Sequence, residues 1–486
     1  MMKNNFLTYL GIAAVGLLLL LNNLNKPFYG HHDFNSVYYS TMARNYLKYG
    51  LVATKLGQVT NSGPVNPGEF NFQTDYPSTF PLLLAASYRL FGITEWAGRL
   101  VPIIFSLLAL ILLFKIGRTL RFSYLASLSA TVVAVVPMFR YFAKLPVHEP
   151  LVVCVSLVSV YCYLKFIKLK QRSWLIGFYL SAFLNGIISW PGYLLYPLLT
   201  LHAFFYFKRQ WLKVAIVNSV LVFSLFLHLG YVYFLTGEFF SKAQLHILLF
   251  RLNLSSTPGF TWPKYFLQEA RWLTVYYTRI LLFSAAIFGF SFIKKQKITL
   301  AQSLIMALAL FGLAYVLIFS NMVFIHDYFN IFFLPFFGLS FAWVINQLQA
   351  ILPKLVLPIL ILLVILAATE RLDFLQAHQN SNMHQTGYEL GKLINQLVPE
   401  TENVAVFSID YANHHETFIN FYSDRVVNYF GYGADGWEEF IKTKPLPKYV
   451  FTVLSHRLED GSLDAVLATQ AAQWQNYSEF NYYQLK

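Results

Sequence analysis

Eleven apolar segments recur along the chain, and each is close to the roughly 17–25 residues that a helix needs to cross a lipid bilayer. Hydrophobic residues make up 57% of the 486 residues and charged residues only 12%, a balance that excludes a soluble globular protein. We therefore predict a mainly α, polytopic membrane protein. The predicted spans lie at about 6–23, 96–114, 122–139, 149–167, 174–190, 192–207, 212–235, 273–293, 298–320, 328–347 and 352–369.

The charges separate between the two sides of this topology. With the N-terminus inside, the cytoplasmic loops contain lysine and arginine but no acidic residue, whereas all 23 acidic residues fall in the outside loops or the tail. Short cytoplasmic loops collect basic residues, so we predict a multi-pass protein of the plasma or inner membrane with a cytoplasmic N-terminus. The net charge of +13 then reflects topology, and we expect membrane lipid, not nucleic acid, as a partner. The basic residues concerned are Lys3, Lys115, Arg118, Arg121, Lys165, Lys168, Lys170, Arg172, Lys208, Arg209, Lys213, Lys294, Lys295, Lys297 and Lys354.

Two outside loops are long enough to carry structure of their own. In the first, from about 24 to 95, residues 36–49 and 80–91 are predicted to form amphipathic helices on the membrane surface. Residues 58–75 between them are rich in Gly, Pro and Asn, which is typical of a loop. The second long loop, 236–272, is polar and aromatic.

The tail from about 370 differs in composition from the rest of the chain. It holds 15 of the 23 acidic residues, and short apolar runs alternate with helical patterns. This predicts two domains, a transmembrane domain at 1–369 and a small extracytoplasmic α/β domain at 370–486. Strands are expected at 404–409, 425–429 and 448–453, and helices at 388–397, 415–422 and 437–442.

Three outside loops carry acidic or imidazole side chains at the same face of the bilayer. No Asp or Glu lies near the middle of any predicted span, although an ion-coupled transporter usually needs one there. Each group also has a structural alternative, as a solvated loop carboxylate, a helix-start charge or an interfacial tyrosine. The candidates are His32 and Asp33 in the first loop, Arg140, His148 and Glu149 in the second, and His326 and Tyr328 in the third.

This arrangement fits a group transfer at the outer surface, where the donor must arrive already activated, for example as a sugar on a lipid phosphate. An acceptor hydroxyl would lose its proton to a carboxylate late in an oxocarbenium-like transition state, and we predict Asp33 as this catalytic base. A cation or metal must offset the charge on the leaving phosphate. The candidates are Arg140, Lys144, His148, Arg251, Arg271 and His326, or a divalent metal shared by Glu149 and histidines such as His148.

Five segments, taken in chain order, resemble the GT-C-fold glycosyltransferases of the protein O-mannosyltransferase and aminoarabinose-transferase type. The resemblance covers roughly residues 1–370. It implies an inverting transferase that uses a polyprenyl-phosphate sugar, with Asp33 as the catalytic aspartate, Glu149 at the second acidic position and His326 facing the phosphate. The segments are GHHDFNSVYYSTMARNYLKYG, YPSTFPLLLAASYRLFGITEWAGRLVPIIFSLLALILLFKIGR, RYFAKLPVHEPL, WPGYLLYPLL and HDYFNIFFLPFFGLSFAW.

The chain departs from this family pattern at two positions. Phe34 stands where protein O-mannosyltransferases carry a glutamate after the aspartate. Asp75 and Tyr76 precede Pro77 where the aminoarabinose transferases carry a Glu-Lys pair, so the lysine that would hold the phosphate is absent. We expect Asp75 to replace the missing acidic group and to bind substrate.

The sequence therefore predicts a glycosyltransferase that moves a sugar from a polyprenyl-phosphate carrier to a lipid, glycan or protein acceptor outside the cytoplasm. Two alternatives from other classes stay open, a polysaccharide or lipid-linked sugar transporter (flippase) and a non-enzymatic membrane assembly protein. A transporter should show inverted repeats. An assembly protein should tolerate the loss of Asp33.

Overall fold

The computed structural model describes residues 2–239, 242–254, 257–293, 297–408, 415–432, 434–453 and 462–486. In chain order its helices are α1 (Met2–Leu20), α2 (Asp33–Ala53), α3 (Thr79–Phe91), α4 (Glu95–Thr119), α5 (Tyr124–Ser129), α6 (Pro137–Phe142), α7 (Glu149–Leu169), α8 (Arg172–Ile188), α9 (Leu195–Tyr206), α10 (Trp211–Thr236), α11 (Lys242–Arg251), α12 (Trp262–Phe290), α13 (Leu300–Ile318), α14 (Ser320–Ile325), α15 (Leu334–Ile351), α16 (Val356–Thr369), α17 (Leu372–Gln379), α18 (Gln385–Leu397), α19 (His415–Ser423), α20 (Ala434–Lys442) and α21 (Ser462–Gln470). Short 3₁₀ helices cover Pro67–Glu69, Ala130–Val135, Trp190–Leu194 and Asp327–Phe333. The strands are β1 (Gln58–Val59), β2 (Phe72–Gln73), β3 (Val404–Phe407), β4 (Val427–Phe430), β5 (Tyr449–Val453), β6 (Ala471–Tyr477) and β7 (Phe480–Leu485).

The chain divides into two compact units, and their boundaries differ from the predicted domains. The first outside loop was assigned to the transmembrane domain, but most of it belongs to the same unit as the tail. The first unit comprises Met1–Leu24, Thr74–Leu83 and Trp96–Gln379, and the second comprises Asn25–Gln73, Leu84–Glu95 and Asn380–Lys486.

The first unit is helical, and all eleven predicted apolar segments are mainly helix. By length and composition, six helical stretches of the described chain are suited to crossing a membrane. The exact number of spans stays a prediction. The six stretches are Glu95–Thr119, Glu149–Leu169, Trp211–Thr236, Trp262–Phe290, Leu300–Ile318 and Asp327–Ile351, and shorter apolar helices cover Phe6–Leu20, Tyr124–Val135 and Val356–Thr369.

Helix α12 begins earlier than the predicted span at 273–293. The Thr261 side chain accepts a hydrogen bond from the backbone N–H of Lys264 and so caps the helix start. The early start places Glu269, which is only 7% exposed, on a helix of membrane-spanning length. Glu269 lies outside the predicted span and before Thr278, so the expectation that no acidic residue lies near the middle of a span is unchanged. Thr278, with φ 65° and ψ 155°, interrupts the helix, which resumes after it.

The predicted helix at 36–49 is present as part of α2, which is largely buried in the second unit, and its position on the membrane surface stays a prediction. Val37 is fully buried and lies in one apolar cluster with Phe28, Phe418 and Phe421. Its partners come from the tail, so a pattern confined to the first loop cannot reveal them. The predicted loop 58–75 contains one short antiparallel pair, β1 with β2.

The tail folds as a small α/β domain with a five-stranded sheet in the order β4-β3-β5-β7-β6. Strand β3 pairs in parallel with β4 and β5, whereas β7 is antiparallel to β5 and β6. Successive side chains of a strand point to opposite faces. Val404 and Val406 accordingly pack with residues of α18 and α19. Ala405 and Phe407 pack with residues of α20 and α21 on the other face.

The three predicted strands and three predicted helices of the tail are present, apart from Ile409, which lies outside the described residues. The hairpin of β6 and β7 and the helix α21 were not predicted. Strand β6 is AAQWQNY and largely exposed, and β7 is FNYYQL with its tyrosines buried. The buried residues of β7 include two tyrosines and an asparagine between Phe480 and Leu485, so the strand does not form a continuous aliphatic run in the sequence.

Candidate active site

A cavity of about 420 Å³ lies inside the first unit. The lining residues of α11 are Gln244, Ile247, Leu248 and Arg251, whose spacing of three and four residues places them on one face of the helix. The wall combines aromatic and aliphatic surface with a few charged and polar groups, a mixture typical of small-molecule sites. The other lining residues are Thr74, Asp75, Tyr76, Trp190, Pro191, Tyr193, Leu194, Leu225, His228, Leu229, Tyr315 and Phe319.

The segment that carries Asp75 is fixed by three side chains. The Trp190 indole N–H donates to the Asp75 carbonyl at 2.6 Å. His228 Nε2 and Gln244 Nε2 lie 3.0 and 3.2 Å from the carbonyl oxygen of Thr74, which can only accept. The segment therefore holds its side chains in a defined position within the cavity wall.

Five side chains form what we call the charged cluster: Asp75, Tyr76, Arg251, His148 and Glu149. Arg251 Nη2 lies 3.4 Å from Asp75 Oδ2, and the guanidinium carbon lies 4.6 Å from the centroid of the Tyr76 ring. Tyr76 also contacts His148, and the centroids of the two rings are 4.4 Å apart. His148 Nε2 is in turn 3.1 Å from Glu149 Oε1. Neighbouring members therefore contact one another directly.

The charged cluster is largely shielded from solvent. The side chains of Asp75 and Arg251 are 11% and 13% exposed, and those of Glu149 and His148 are 2% and 4% exposed. Burial raises the pKa of Tyr76 to about 12, and Arg251 opposes the rise while Glu149 and Asp75 add to it. The phenol is therefore neutral at physiological pH. The Arg251 guanidinium therefore lies between a carboxylate and a neutral aromatic face.

The second predicted loop supplies His148 and Glu149 at the start of α7. Glu149 is the first residue of this helix, at the start of the span predicted at 149–167, and Pro150 is the second, a position in the first turn that proline favours. A carboxylate there is favoured by the helix dipole. Glu149 is therefore both the residue that begins α7 and a member of the charged cluster.

The two cations of the same loop differ from each other. The Lys144 ammonium donates to the carbonyls of Leu20 and Asn22, which commits it to joining this loop to the end of α1. Arg140 lies on α6, and burial lowers the pKa of its guanidinium. Among the described residues, Arg140 Nε is buried and has no hydrogen-bond partner. Lys144 therefore acts structurally, whereas Arg140 stays a substrate-binding candidate.

The third predicted loop packs against the second within the first unit. The 3₁₀ helix Asp327–Phe333 contacts both α6 and α7. The ring centroids of Tyr328 and Phe142 are 6.2 Å apart, and those of His326 and Tyr328 are 5.4 Å apart. The structure therefore brings together two loops that are distant in sequence.

Asp33 and His32 belong to the second unit. The Asp33 carboxylate accepts hydrogen bonds of 2.8 Å from the Gly30 backbone N–H and from the Ser36 hydroxyl. Asp33 is the first residue of α2 and is 5% exposed, so it is not an ordinary solvated loop carboxylate. His32 precedes it with φ 60°. The predicted convergence of Asp33 with the other two loops stays a prediction.

A metal at Glu149 and His148 would need ligands beyond this pair. Their side chains already contact each other, and no group of three His, Cys, Asp or Glu ligand atoms forms around them among the described residues. Within the first unit, the Tyr276 hydroxyl contacts a different His and Asp pair. It donates a hydrogen bond to Asp327 and lies 3.3 Å from His378 Nε2. Imidazole and carboxylate are ligand types that zinc and similar divalent metals accept.

Several cavity residues were not singled out as site residues from the sequence. Arg251 is among the possible cations named from the sequence but is not assigned to a site there. Tyr76 was regarded only as a departure from a pattern. The spacing of Gln244 and Arg251 on one helical face was the available signal. The partners of that face come from distant segments, which the sequence did not connect.

Comparisons with known proteins agree with the predicted class. The family model described as dolichyl-phosphate-mannose-protein mannosyltransferase matches residues 75–234. No curated protein matches the chain. The crystal structure of ArnT from Cupriavidus metallidurans bound to undecaprenyl phosphate has a TM-score of 0.67 at 14% sequence identity, covering 98% of this chain and 97% of that one.

Two further solved structures show the same fold. The apo state of ArnT from Cupriavidus metallidurans has a TM-score of 0.63 at 13% identity, covering 99% of this chain and 98% of that one. The arabinofuranosyltransferase AftD from Mycobacteria has a TM-score of 0.55 at 12% identity, covering 98% of this chain and 40% of that one. Together with the family model, these matches support a membrane glycosyltransferase. The resemblance identified in the sequence is confirmed, and the chain has the GT-C fold of the protein O-mannosyltransferase and ArnT type.

Proposed function

We propose that this protein transfers a sugar from a polyprenyl-phosphate carrier to a lipid, glycan or protein acceptor at the extracytoplasmic face of the membrane. The observation that carries the proposal is the cavity in which the paired Arg251 and Asp75 meet aromatic and aliphatic walls. A lipid-phosphate sugar presents the complementary features, an anion, a polyol and an apolar chain. The similarity in fold to ArnT, which was solved with undecaprenyl phosphate, supports this class of donor.

In this proposal Arg251 holds the phosphate. The guanidinium provides several N–H donors in a planar fork that matches phosphate oxygens. Tyr76 occupies the position where the resemblance leads one to expect a lysine, and the Arg251 guanidinium lies over its ring. Arg251 thus supplies, from α11, the positive charge that is missing at position 76.

The reaction is a single displacement with inversion. The acceptor oxygen forms a bond to the anomeric carbon while the bond from that carbon to the phosphate oxygen breaks, and the bonding electrons leave with the phosphate. Asp33 takes the proton of the acceptor hydroxyl. The hydrogen bonds from Gly30 and Ser36 orient the carboxylate for this role.

The remaining predicted residues bind substrate in this scheme. His32 flanks the base, Asp75 orients the arginine and the sugar, and the second and third loops supply Arg140, His148, Glu149, His326 and Tyr328. A divalent metal, if one is required, would supply additional positive charge beside the leaving phosphate. The N-terminus is cytoplasmic, and the region 370–486 shields the site or selects the acceptor.

The test is turnover of purified full-length protein with a panel of polyprenyl-phosphate sugars, measured as release of polyprenyl phosphate, with and without a metal chelator. We expect turnover with at least one donor, and an Asp33→Asn variant should lose roughly 100-fold or more, the scale of general-base catalysis. Glu438→Gln is the matched control, because this carboxylate is 68% exposed and is paired with Lys442.

No turnover with any donor, or equal turnover by the Asp33→Asn variant, would contradict the proposal. Movement of an intact lipid-linked sugar across a vesicle membrane without its cleavage would instead support a transporter. An unchanged cellular phenotype after loss of Asp33, combined with no turnover, would support an assembly protein.

A further inference from the structure

A second, open groove of about 690 Å³ lies in the first unit between the start of α12 and helix α17. The α12 side contributes residues at positions 267, 270, 271, 274 and 275, which form one stripe on the helix. The groove shares none of its lining residues with the 420 Å³ cavity. Its lining residues are Leu267, Ala270, Arg271, Thr274, Val275, Arg371, Asp373, Phe374 and Ala377.

The two arginines of this groove have little charge compensation. Arg271 is exposed and forms neither a hydrogen bond nor an ion pair with the residues that the structure describes. Arg371 Nε lies 4.0 Å from Glu370 Oε1, and within the described chain this buried nitrogen has no hydrogen-bond partner. A pair of arginines in this state is suited to bind an anion.

Glu370 compensates the charge of Arg371 only in part, because its carboxylate also binds Arg279 at shorter distances. Its carboxylate accepts three hydrogen bonds from Arg279, two from the backbone N–H at 3.1 and 3.0 Å and one from Nε at 2.8 Å. These bonds cap the part of α12 that follows the interruption at Thr278. Asp373 also lines the groove, so two positive charges and one negative charge face it.

The groove lies where the apolar helix α16 ends. Thr369 is the last residue of α16, and Arg371 follows two positions later. The apolar part of α12 likewise begins after Thr278. Arginines at the ends of apolar helices are in position to reach lipid headgroups, and the side chains of Leu267, Val275 and Phe374 add apolar surface beside them.

We propose that this groove binds an anionic membrane phospholipid, with the phosphate between Arg271 and Arg371 and an acyl chain along the apolar stripe of Leu267, Val275 and Phe374. The occupant is a lipid because the site combines two cations with apolar surface at a helix end, whereas free phosphate would use only the cations. The site is separate from the proposed catalytic cavity. It gives the protein a binding function for a bulk lipid in addition to the carrier lipid.

Phe374 connects this groove to the buried polar group described above. Its ring centroid is 4.1 Å from that of His378 and 5.2 Å from that of Tyr276. Tyr276 donates a hydrogen bond to Asp327. A lipid that orders α17 would therefore also stabilise the position of His378.

The test uses the purified full-length protein in a neutral detergent, titrated with phosphatidylglycerol or with phosphatidylcholine. Lipid retention is measured by native mass spectrometry and thermal stability by an unfolding scan. We expect phosphatidylglycerol to bind and to raise the unfolding temperature, because ligand binding to the folded state stabilises it. Phosphatidylcholine and inorganic phosphate should do neither.

Two variants with opposite expected effects on phosphatidylglycerol affinity test whether these side chains form the lipid site. Arg271→Gln combined with Arg371→Gln should weaken phosphatidylglycerol binding about tenfold or more, since charge-assisted hydrogen bonds are lost. Asp373→Asn should tighten it, because a repulsive charge is removed. Arg89→Gln, another exposed arginine, is the control and should bind like the parent.

Equal binding by the parent and the double variant would overturn the proposal, as would equal binding of phosphatidylcholine and phosphatidylglycerol. A stabilisation by inorganic phosphate as large as that by the lipid would also overturn it. If the double variant does not fold, the Asp373→Asn variant decides, and a weaker or unchanged affinity contradicts the site.

Discussion

Arg251 Nη2 lies 3.4 Å from Asp75 Oδ2 inside the largely apolar cavity, although the two residues are 176 positions apart in the chain. The pair is mostly buried, and removing one partner of such a pair leaves the other charge uncompensated. It is also the only arginine–carboxylate pair among the lining residues that the structure describes in this cavity. The cavity therefore has one defined point at which a guanidinium and a carboxylate meet, and the proposed function places the donor phosphate there.

Arg251→Gln should abolish most transfer activity, because the positive charge at this point is lost. We expect kcat/KM for the lipid-phosphate donor to fall roughly 100-fold, the scale reported for removal of one stabilising donor. Arg251→Lys keeps the charge without the planar fork and should retain intermediate activity. Release of polyprenyl phosphate measures the effect, and Lys442→Gln serves as a control because its ammonium is 74% exposed. Full activity of Arg251→Gln would refute the assignment.

Tyr76→Phe tests whether the phenol takes part in proton transfer. Burial raises the pKa of Tyr76 to about 12, with Arg251 acting in the opposite direction. The hydroxyl therefore stays protonated throughout pH 6–9, a range about three units or more below that value. We expect the pH profile of kcat to keep its shape in Tyr76→Phe, while KM for the donor changes. Disappearance of an alkaline limb of the profile in this variant would show that Tyr76 titrates during the reaction.

The local signals in the sequence predicted most of the fold. Apolar length predicted the long apolar helices of the first unit but not α11 or α17, and short apolar runs predicted β3, β4 and β5. Helix α2 was predicted as a helix, but its burial depends on Phe418 and Phe421, nearly four hundred residues later in the chain. Burial that depends on partners so distant in sequence cannot be predicted from one amphipathic pattern.

The candidate site was predicted less completely, for the same reason. Glu149 and His148 were identified because they stand together at a helix start. Arg251 could be identified as a possible cation, but its contact with Asp75 requires the fold. The sequence therefore indicated which residue types were available, and the tertiary structure determined which of them meet.

Asp464 organises the second unit's sheet through four donors. The hydroxyls of Tyr432, Tyr483 and Thr452 and the amide of Asn481 donate to its carboxylate, the last three at 2.6, 2.7 and 3.0 Å. Burial alone would raise the pKa of Asp464, but these hydrogen bonds outweigh it and hold the pKa below its ordinary value. Asp464→Asn keeps only part of the acceptor capacity. We expect a loss of about 2 kcal/mol in unfolding free energy of this domain.

The sign of the pH dependence follows from the lowered pKa. The contribution of Asp464 is fully present above the unfolded-state pKa of about 3.9 and is lost as the pH falls through the lower folded value. Hydrogen exchange of β5 and β7, followed by mass spectrometry, measures both effects. The Asn variant should exchange faster at pH 7, and the difference between it and the parent should shrink on acidification below pH 4. A difference that grows on acidification would contradict this account.

Gly63→Ala should destabilise the second unit, because position 63 has no room for a side chain. Gly63 has φ +71°, and a Cβ there would lie 2.5 Å from the backbone nitrogen of Val426 and 2.7 Å from the carbonyl carbon of Arg425. Backbone atoms cannot move aside as a flexible side chain can, and an alanine at positive φ adds strain. We expect a loss of about 2–4 kcal/mol in unfolding free energy and faster proteolysis of the first outside loop.

Gly68→Ala is the matched control for this prediction. A Cβ at position 68 meets nothing within 4 Å, and the residue does not have a positive φ. It lies in the same loop, in the 3₁₀ helix Pro67–Glu69. The control should therefore unfold within about 0.5 kcal/mol of the parent, as surface substitutions usually do. If both alanine variants unfold alike in a urea titration, the close approach of Gly63 to Val426 does not contribute to the stability of the second unit.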